Sequence, residues 1–139
     1  MLNVRILTRT GEVYSGNATS VVLPGAQGTM EVLHRHVPFI SVLNTGVITV
    51  KRDRITREFT LSSGIAFLVN DDLTVFSDAS ETAEQIDMAR AMAAKKKAQE
   101  EMELYRGKEP LLYRMAQDHL RRADNRIKFV QRQKARRST

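Results

Sequence analysis

The stretch that decides the fold is Ile86-Asp87-Met88-Ala89-Arg90-Ala91, which stands where the sequence pattern changes from sheet to helix. Asp87 and Arg90 are three residues apart, so a helix would place them on one face, where they could hold a small ligand. Just upstream, Thr82 and Gln85 have the spacing of a helix capping box. The residues that follow are rich in alanine and almost free of β-branched side chains, which favours helix. The sequence therefore predicts a helix that begins at about Thr82.

On the N-terminal side, residues 2 to about 77 contain short apolar segments separated by turn signals. Residues 2–6 alternate apolar and polar side chains, which is the period of a strand. Pro24-Gly25 and Asn70-Asp71-Asp72 are among the turn signals between segments. Many short strands of this kind are typical of an antiparallel sandwich or barrel.

On the C-terminal side, Gly107 and Pro110 indicate the end of one helix and the start of a second. The second helix carries one narrow apolar stripe, formed by Leu112, Ala116, Leu120, Ala123, Ile127 and Val130. Two helices joined by a short loop pair as an antiparallel hairpin. We expect the hairpin to be marginal, because alanines bury little apolar area, and to leave its docked position at modest cost. The basic segment Gln131–Thr139 is expected to fray.

These patterns predict an α+β chain: an N-terminal antiparallel β-sandwich, residues 1–81, followed by a C-terminal antiparallel α-helical hairpin, residues 82–139. The 139 residues suffice for one small domain and an appendage. The chain has no cysteine, which excludes disulfides and thiol catalysis. It also has no apolar run of about 18 residues and no secretory h-region, so we expect a soluble intracellular protein.

The net charge of +6 is concentrated at the C-terminus. Residues 1–83 carry 7 Lys/Arg and 8 Asp/Glu, a net of −1, whereas residues 110–139 carry 9 and 2, a net of +7. This distribution favours one cationic segment that seeks an acidic surface. A nucleic-acid-binding module that uses the basic helix is the alternative, and it predicts a strongly salt-dependent affinity for DNA or RNA.

Other kinds of site find little support in the sequence. His34 and His36 are two residues apart but lack a third ligand nearby, so no metal site is expected. No catalytic set of polar residues can be assembled, so the chain is not expected to be an enzyme. Gly25 and Gly28 lack the Gly-Lys-Ser/Thr that completes a phosphate loop. Asp87 and Arg90 could also be an ordinary surface ion pair.

Several motifs resemble the epsilon subunit of F-type ATP synthases almost from end to end. Gly28, His36 and Pro38 match the family's contact loop, and residues 45–48 and 61–64 resemble later turns and strand entries. Ile86, Asp87, Arg90 and Ala91 match its nucleotide-associated motif. Three departures, Glu31, His34-Arg35 and Val37, make the contact loop more charged and less turn-prone than in the family.

The resemblance implies a noncatalytic central-stalk subunit of the rotor of a proton-translocating ATP synthase. The sandwich would bind the gamma subunit and the c-ring and help to couple rotation to ATP synthesis. The contact loop would comprise Gly28, Thr29, Met30, Glu31, His36 and Pro38. Membrane contact would occur only through the complex, at the cytoplasmic face of a bacterial plasma membrane.

For the hairpin, the resemblance implies a regulatory element that blocks ATP hydrolysis when it extends toward the alpha and beta catalytic subunits. No cofactor is implied except regulatory ATP, held by Ile86, Asp87, Arg90, Ala91, Arg122 and Arg126. Arg suits this task because its planar fork matches phosphate oxygens. An acidic surface of the catalytic subunits would contact Arg121, Arg122, Arg126 and Lys128.

Overall fold

The computed structural model describes residues 1–137, which divide into two compact units at Thr82/Ala83. The N-terminal unit has nine strands and the C-terminal unit has two helices. The strands are β1 (Leu2–Thr8), β2 (Gly11–Ala18), β3 (Ser20–Gly25), β4 (Gly28–Leu33), β5 (Phe39–Leu43), β6 (Gly46–Arg52), β7 (Ile55–Leu61), β8 (Gly64–Val69) and β9 (Asp72–Ser77). The helices are α1 (Met88–Tyr105) and α2 (Pro110–Arg137). The predicted sandwich and helical hairpin are confirmed.

The strands hydrogen-bond in the order β2-β1-β9-β8-β5-β3-β6-β7, and β4 pairs with β3. All pairs are antiparallel except β1 with β9, which run parallel. The sheet is therefore antiparallel, as predicted, at every described pair except this one. The parallel pair arises because the last strand of the unit returns beside the first, a long-range pairing that local patterns do not reveal.

The alternation predicted for the first strand is realised in β1. Leu2, Val4 and Ile6 are each at most 1% exposed, while the side chains between them face outward. They join a single core to which every strand contributes, and β2 adds Val13, Ala18 and the ring of Tyr14, which lies 5.4 Å from the ring of Phe59. Since one slip of register would expose all of these residues, the core specifies the pairing.

The β8–β9 hairpin turns on Asn70 and Asp71, whose φ angles are +48° and +64°. Two consecutive residues in the left-handed region match the twist of adjacent strands, and Asn and Asp tolerate that region better than most residues. After β9 the chain runs along β7, where the amide N–H groups of Thr60 and Ser62 donate to the carbonyls of Glu81 (2.8 Å) and Ala79 (3.0 Å). The sandwich thus extends up to the boundary of the helical unit.

The first helix begins later than the sequence suggested. Residues Ala83–Gln85 form a single 3-10 turn, and α1 starts at Met88 with Asp87 as its N-cap. The Asp87 carboxylate accepts a hydrogen bond of 3.1 Å from the backbone N–H of Arg90. This local bond satisfies an otherwise free amide of the first turn, which fixes the start of α1 at Met88.

The second unit is an antiparallel hairpin with a small-residue interface. Ala91 and Ala98 of α1 and Ala116 and Ala123 of α2 are each at most 3% exposed. Side chains this small let two helix backbones approach closely, but each buries little area. Gly107, at φ +72°, ends the first helix, and Pro110 opens the second. Both predictions about the loop are thus confirmed.

The apolar stripe of α2 is only partly buried. Ala116, Ala123, Ile127 and Val130 are buried, whereas Leu112 is 38% exposed. Phe129, which lies off the stripe, is 1% exposed.

The expected fraying from Gln131 is wrong as far as Arg137, because α2 stays helical to that residue and Arg137 forms an ion pair with Glu84. The last two residues of the predicted fraying segment lie outside the described residues.

Candidate functional site

Most of the predicted contact loop is a strand. Gly28, Thr29, Met30 and Glu31 lie in β4, paired with β3, and only residues 34–38 form a loop. Glu31 and Gly28 are exposed and Met30 is half-buried, so this hairpin presents polar backbone and mixed side chains at its edge. Residues 28–31, which the family resemblance assigned to a contact loop, therefore belong to the β3–β4 hairpin.

The unusual His34-Arg35 pair is anchored to the β8–β9 turn. His34 Nδ1 lies 2.8 Å from Asp71 Oδ2, and the backbone N–H of Arg35 donates to Asp71 Oδ1 at 2.8 Å. Arg35 has φ +65°, so this carboxylate stabilises a backbone conformation that arginine seldom adopts. Sequence analysis missed Asp71 because the contact spans 36 residues and no local pattern encodes it.

His36 and Pro38 lie in the same loop. His36 Nδ1 is 2.8 Å from the carbonyl oxygen of Val37, and its ring packs edge-on against Phe39 at 5.3 Å. Both His36 and Pro38 are exposed, so their outward surfaces are accessible in the sandwich. Among residues 1–137, no group of three or more His, Asp or Glu side chains is placed to hold a metal ion.

A broad apolar surface covers the outer side of three adjacent strands, β5, β8 and β9. Cross-strand pairing places Ile40 opposite Phe67, Val42 opposite Ile65, and Ile65 opposite Phe76. Ile40 is 82% exposed and Val42 is 61% exposed. Phe67 and Phe76 stack with ring centroids 5.9 Å apart. We call these five residues the apolar face.

The nucleotide motif takes a different geometry from the one predicted. Asp87 is the N-cap, so its carboxylate serves the Arg90 amide rather than the Arg90 guanidinium. Within residues 1–137, the exposed Arg90 guanidinium has no hydrogen bond or ion pair. Ile86 is half-buried and Ala91 is buried, so these two members of the motif support the helix start rather than face solvent.

The arginines expected from α2 lie at different distances along the hairpin. Lys95 Nζ lies 3.2 Å from Asp124 Oδ1, and His119 Nδ1 lies 4.0 Å from Glu101 Oε2. Both contacts give nearly the same register between the helices. In that register Arg126 lies beside residues 93–94, about one helical turn from Arg90, and Arg122 lies about two turns away.

The basic residues of α2 are interleaved with acids. Arg122 Nε is 3.1 Å from Asp118 Oδ2, and Lys128 Nζ is 2.8 Å from Asp124 Oδ2. Arg121, with a side chain 66% exposed, lies 4.0 Å from Asp118, and Arg126 also has a partner within the described residues. A partner that contacts these residues would have to compete with acids already present on the helix.

Asp124 joins the two helices electrostatically. Lys128, assisted by Lys95, lowers the pKa of the Asp124 carboxyl, although burial acts in the opposite direction. Because the folded-state pKa is lowered, the stabilisation is present above the ordinary Asp value and is lost as the pH falls through the folded pKa. The carboxylate thus strengthens a hairpin whose apolar interface is small.

The fold and the site define a two-unit protein: a nine-stranded sandwich with an exposed apolar face, and a helical hairpin with a cationic second helix. Two family models match in the same order. The beta-sandwich domain of the ATP synthase Delta/Epsilon chain matches residues 1–83, and its long alpha-helix domain matches residues 84–131. The chain belongs to the ATP synthase delta/epsilon family.

Similar proteins agree with this assignment. The ATP synthase epsilon chain of Acidithiobacillus ferridurans is 34% identical over 94% of this chain and 92% of its own length. The epsilon chain of Bacillus velezensis is 33% identical over 91% of this chain and 94% of its own. Epsilon chains are noncatalytic subunits of the ATP synthase complex, and this chain is of that type.

Solved structures share the fold at low sequence identity. A chain in the Euglena gracilis mitochondrial ATP synthase, in a structure of OSCP, F1 and c-ring, superposes with a TM-score of 0.75. It is 13% identical, and the match covers 89% of this chain and 78% of that one. A chain from the central stalk and c-ring of the Tetrahymena thermophila mitochondrial enzyme gives 0.52 at 9% identity, over 60% and 68%. Among residues 1–137, neither helix is apolar enough to cross a bilayer.

Proposed function

We propose that this chain is the epsilon subunit of the central stalk in a proton-translocating ATP synthase. Its sandwich binds the gamma subunit and rests on the c-ring, so that it turns with the rotor and helps to couple rotation to ATP synthesis. The subunit is peripheral, at the cytoplasmic face of a bacterial plasma membrane, and reaches the membrane only through the complex. The family assignment supports this role, and the apolar face is the single observation that carries it.

The apolar face has the composition of an attachment surface. Large exposed side chains on neighbouring strands form one contiguous patch, whereas scattered single apolar residues would be unremarkable. Burial of such area favours association by roughly 25 cal/mol per Å² before the costs of ordering. We assign the apolar face to contact with the gamma subunit. The c-ring would contact the β3–β4 hairpin and residues 34–38. This second surface includes Gly28, Thr29, Met30, Glu31, His36 and Pro38.

Replacement of Ile40 by Asp tests the attachment surface. Ile40 is 82% exposed, so the variant folds normally, but a carboxylate placed in the proposed interface would be desolvated without a partner. We expect binding to a complex depleted of this subunit to weaken by about tenfold or more. Titration of the depleted complex with labelled full-length chain measures this affinity.

Ile55→Asp is the matched control, because Ile55 is 62% exposed and lies on the edge strand β7, away from the apolar face. The control should bind like the wild type. Equal affinities of the two variants would contradict the proposed attachment.

We infer that the hairpin is a regulatory element that opens and inhibits ATP hydrolysis. Two observations support this: the buried helix–helix contacts are mostly alanine, and the ion pairs that join the helices are partly exposed. Such pairs contribute only about 0–1 kcal/mol each, so the hairpin opens at modest cost. In the inhibitory state, the basic residues of α2 would leave their present ion-pair partners and contact an acidic surface of the catalytic subunits. These residues are Arg121, Arg122, Arg126 and Lys128.

Removal of the hairpin tests the inhibitory role. A chain that ends at Thr82 retains the strand β7 contacts of residues 79–81, so its sandwich should assemble. We expect a clear rise in the ATP hydrolysis rate of the assembled complex, because the blocking element is gone. An unchanged rate in a complex that contains the shortened chain would show that the hairpin is not inhibitory.

We infer further that ATP binds to the hairpin beside Arg90. The exposed guanidinium is without a partner among residues 1–137, and it lies in the first turn of α1, where backbone N–H groups also favour phosphate. Arg126 is the next nearest arginine on α2, and Arg122 would reach the ligand only through its long side chain. A ligand that binds only the folded hairpin would stabilise it by about 2.7 kcal/mol at a hundredfold excess over Kd.

Arg90→Ala should lower the affinity of the full-length chain for ATP by about tenfold, because a charge-assisted phosphate contact is lost. Isothermal titration calorimetry measures this change. Arg114→Ala is the matched control, since Arg114 is also an exposed arginine of the hairpin but lies at its far end. If Arg90→Ala and Arg114→Ala bind ATP with the same affinity, Arg90 does not hold the nucleotide.

The nucleic-acid alternative gains no specific support. It requires an unopposed basic surface on α2, whereas Asp118 and Asp124 lie among the basic residues of that helix.

A further inference from the structure

A polar groove lies on the same side of the sheet as the apolar face, across β2, β1 and β9. It has a volume of about 390 Å³ and is lined by backbone and side chains of these three strands. Strand register places Ser15 and Thr74 on either side of Arg5, directly opposite it on β2 and β9. A single arginine between two hydroxyl-bearing residues therefore lies on the central strand of the groove, at one end of it.

Arg5 is an exposed cation without a partner. Among residues 1–137, its guanidinium has no hydrogen bond and no ion pair. The groove also contains one acid, Asp72, but its Oδ1 accepts a hydrogen bond of 2.9 Å from the Asn3 amide, two residue pairs away from Arg5 along the strands. The Asn3 contact keeps the carboxylate at the far end of the groove and leaves Arg5 available to an incoming anion.

The groove is continuous with the apolar face through strand β9. Phe76 of the apolar face pairs with Leu7 of β1, and Thr74, two residues earlier on the same side of β9, pairs with Arg5. A partner that covers Phe76 would thus extend over the Arg5 end of the groove. Protein interfaces commonly combine an apolar contact area with charged groups beside it. The charged groups fix the orientation in which the two partners bind.

From this juxtaposition we propose that the groove receives a carboxylate side chain of the partner that covers the apolar face, and that Arg5 pairs with it. This inference rests on the proposed function, in which that partner is the gamma subunit. A guanidinium fits a carboxylate through two parallel hydrogen bonds, and the exposed Ser15 hydroxyl beside Arg5 can donate to a remaining lone pair. The apolar face supplies affinity, and the Arg5 pair sets the orientation.

The test measures binding of the full-length chain to a complex depleted of this subunit, as a function of salt concentration. Arg5→Glu opposes the incoming carboxylate, so the affinity should fall by about tenfold or more at low salt. The difference from the wild type should shrink as salt rises, because screening weakens charge interactions. Arg5→Gln, which keeps hydrogen-bonding capacity without charge, should lie between the two.

Arg9→Glu is the matched control, because it changes the net charge equally from an exposed site in the turn after β1, outside the groove. It should bind like the wild type. Equal affinities for Arg5→Glu and Arg9→Glu would overturn the proposal, as would saturable binding of inorganic phosphate at Arg5 without any effect of Arg5→Glu on subunit affinity. In that second case the groove would hold a free anion.

The Ile40→Asp variant separates failure of this inference from failure of the proposed function. If Ile40→Asp weakens binding and Arg5→Glu does not, the attachment surface stands and the groove has no part in it. If both variants bind normally, both proposals fail. Folding of each variant is checked by the amide NMR spectrum of β1 and β9.

Discussion

The pairing of β9 with both β1 and β8 is the constraint on which the sandwich and its surfaces depend. β9 runs parallel to β1 and antiparallel to β8. It therefore joins the first strand of the unit to the rest of the sheet. Leu73 and Val75 point into the core and are fully buried. Thr74 and Phe76 lie on the other side of the strand, where Thr74, only 4% exposed, lines the polar groove and Phe76 belongs to the apolar face. A shift of β9 by one residue would turn its buried side chains toward solvent and its surface side chains toward the core.

The two units are stabilised by different kinds of interaction. The sandwich buries a continuous set of Leu, Ile, Val and Phe side chains around one core. The hairpin depends on alanine contacts, a few larger side chains toward the end of α2, and ion pairs that share Asp124. Since ion pairs of partly exposed groups are weak and screened by salt, the second unit is the one whose conformation a ligand or partner can shift. In the proposed function, the sandwich is the fixed attachment and the hairpin is the adjustable part.

Local patterns in the sequence predicted the elements well. The alternation in residues 2–6, the Gly107 and Pro110 signals and the alanine-rich stretch all correspond to elements of the structure. The failures have physical causes. Asp87 rather than Thr82 is the N-cap of α1, because residues 83–85 form a separate 3-10 turn and the Asp87 carboxylate accepts a hydrogen bond from the Arg90 amide.

Three features could not be predicted from local patterns. The parallel β1–β9 pair and the contacts of Asp71 with His34 and Arg35 join residues that are 36 or more positions apart. The Arg5 groove lies across three strands. Such contacts depend on the closed sheet and leave no periodic trace in the sequence. The sequence predicted that residues 86–91 lie near the start of a helix, but the contact between the Asp87 carboxylate and the Arg90 amide could be known only from the structure.

The most direct test of the attachment claim is hydroxyl-radical footprinting of the full-length chain, alone and in the assembled ATP synthase. Side chains of the apolar face, Ile40, Ile65 and Phe76, should be labelled in the free chain and lose most of that labelling in the complex. Ile55, on the edge strand β7, should be labelled equally in both states. Unchanged labelling of the apolar face in the assembled enzyme would contradict the account.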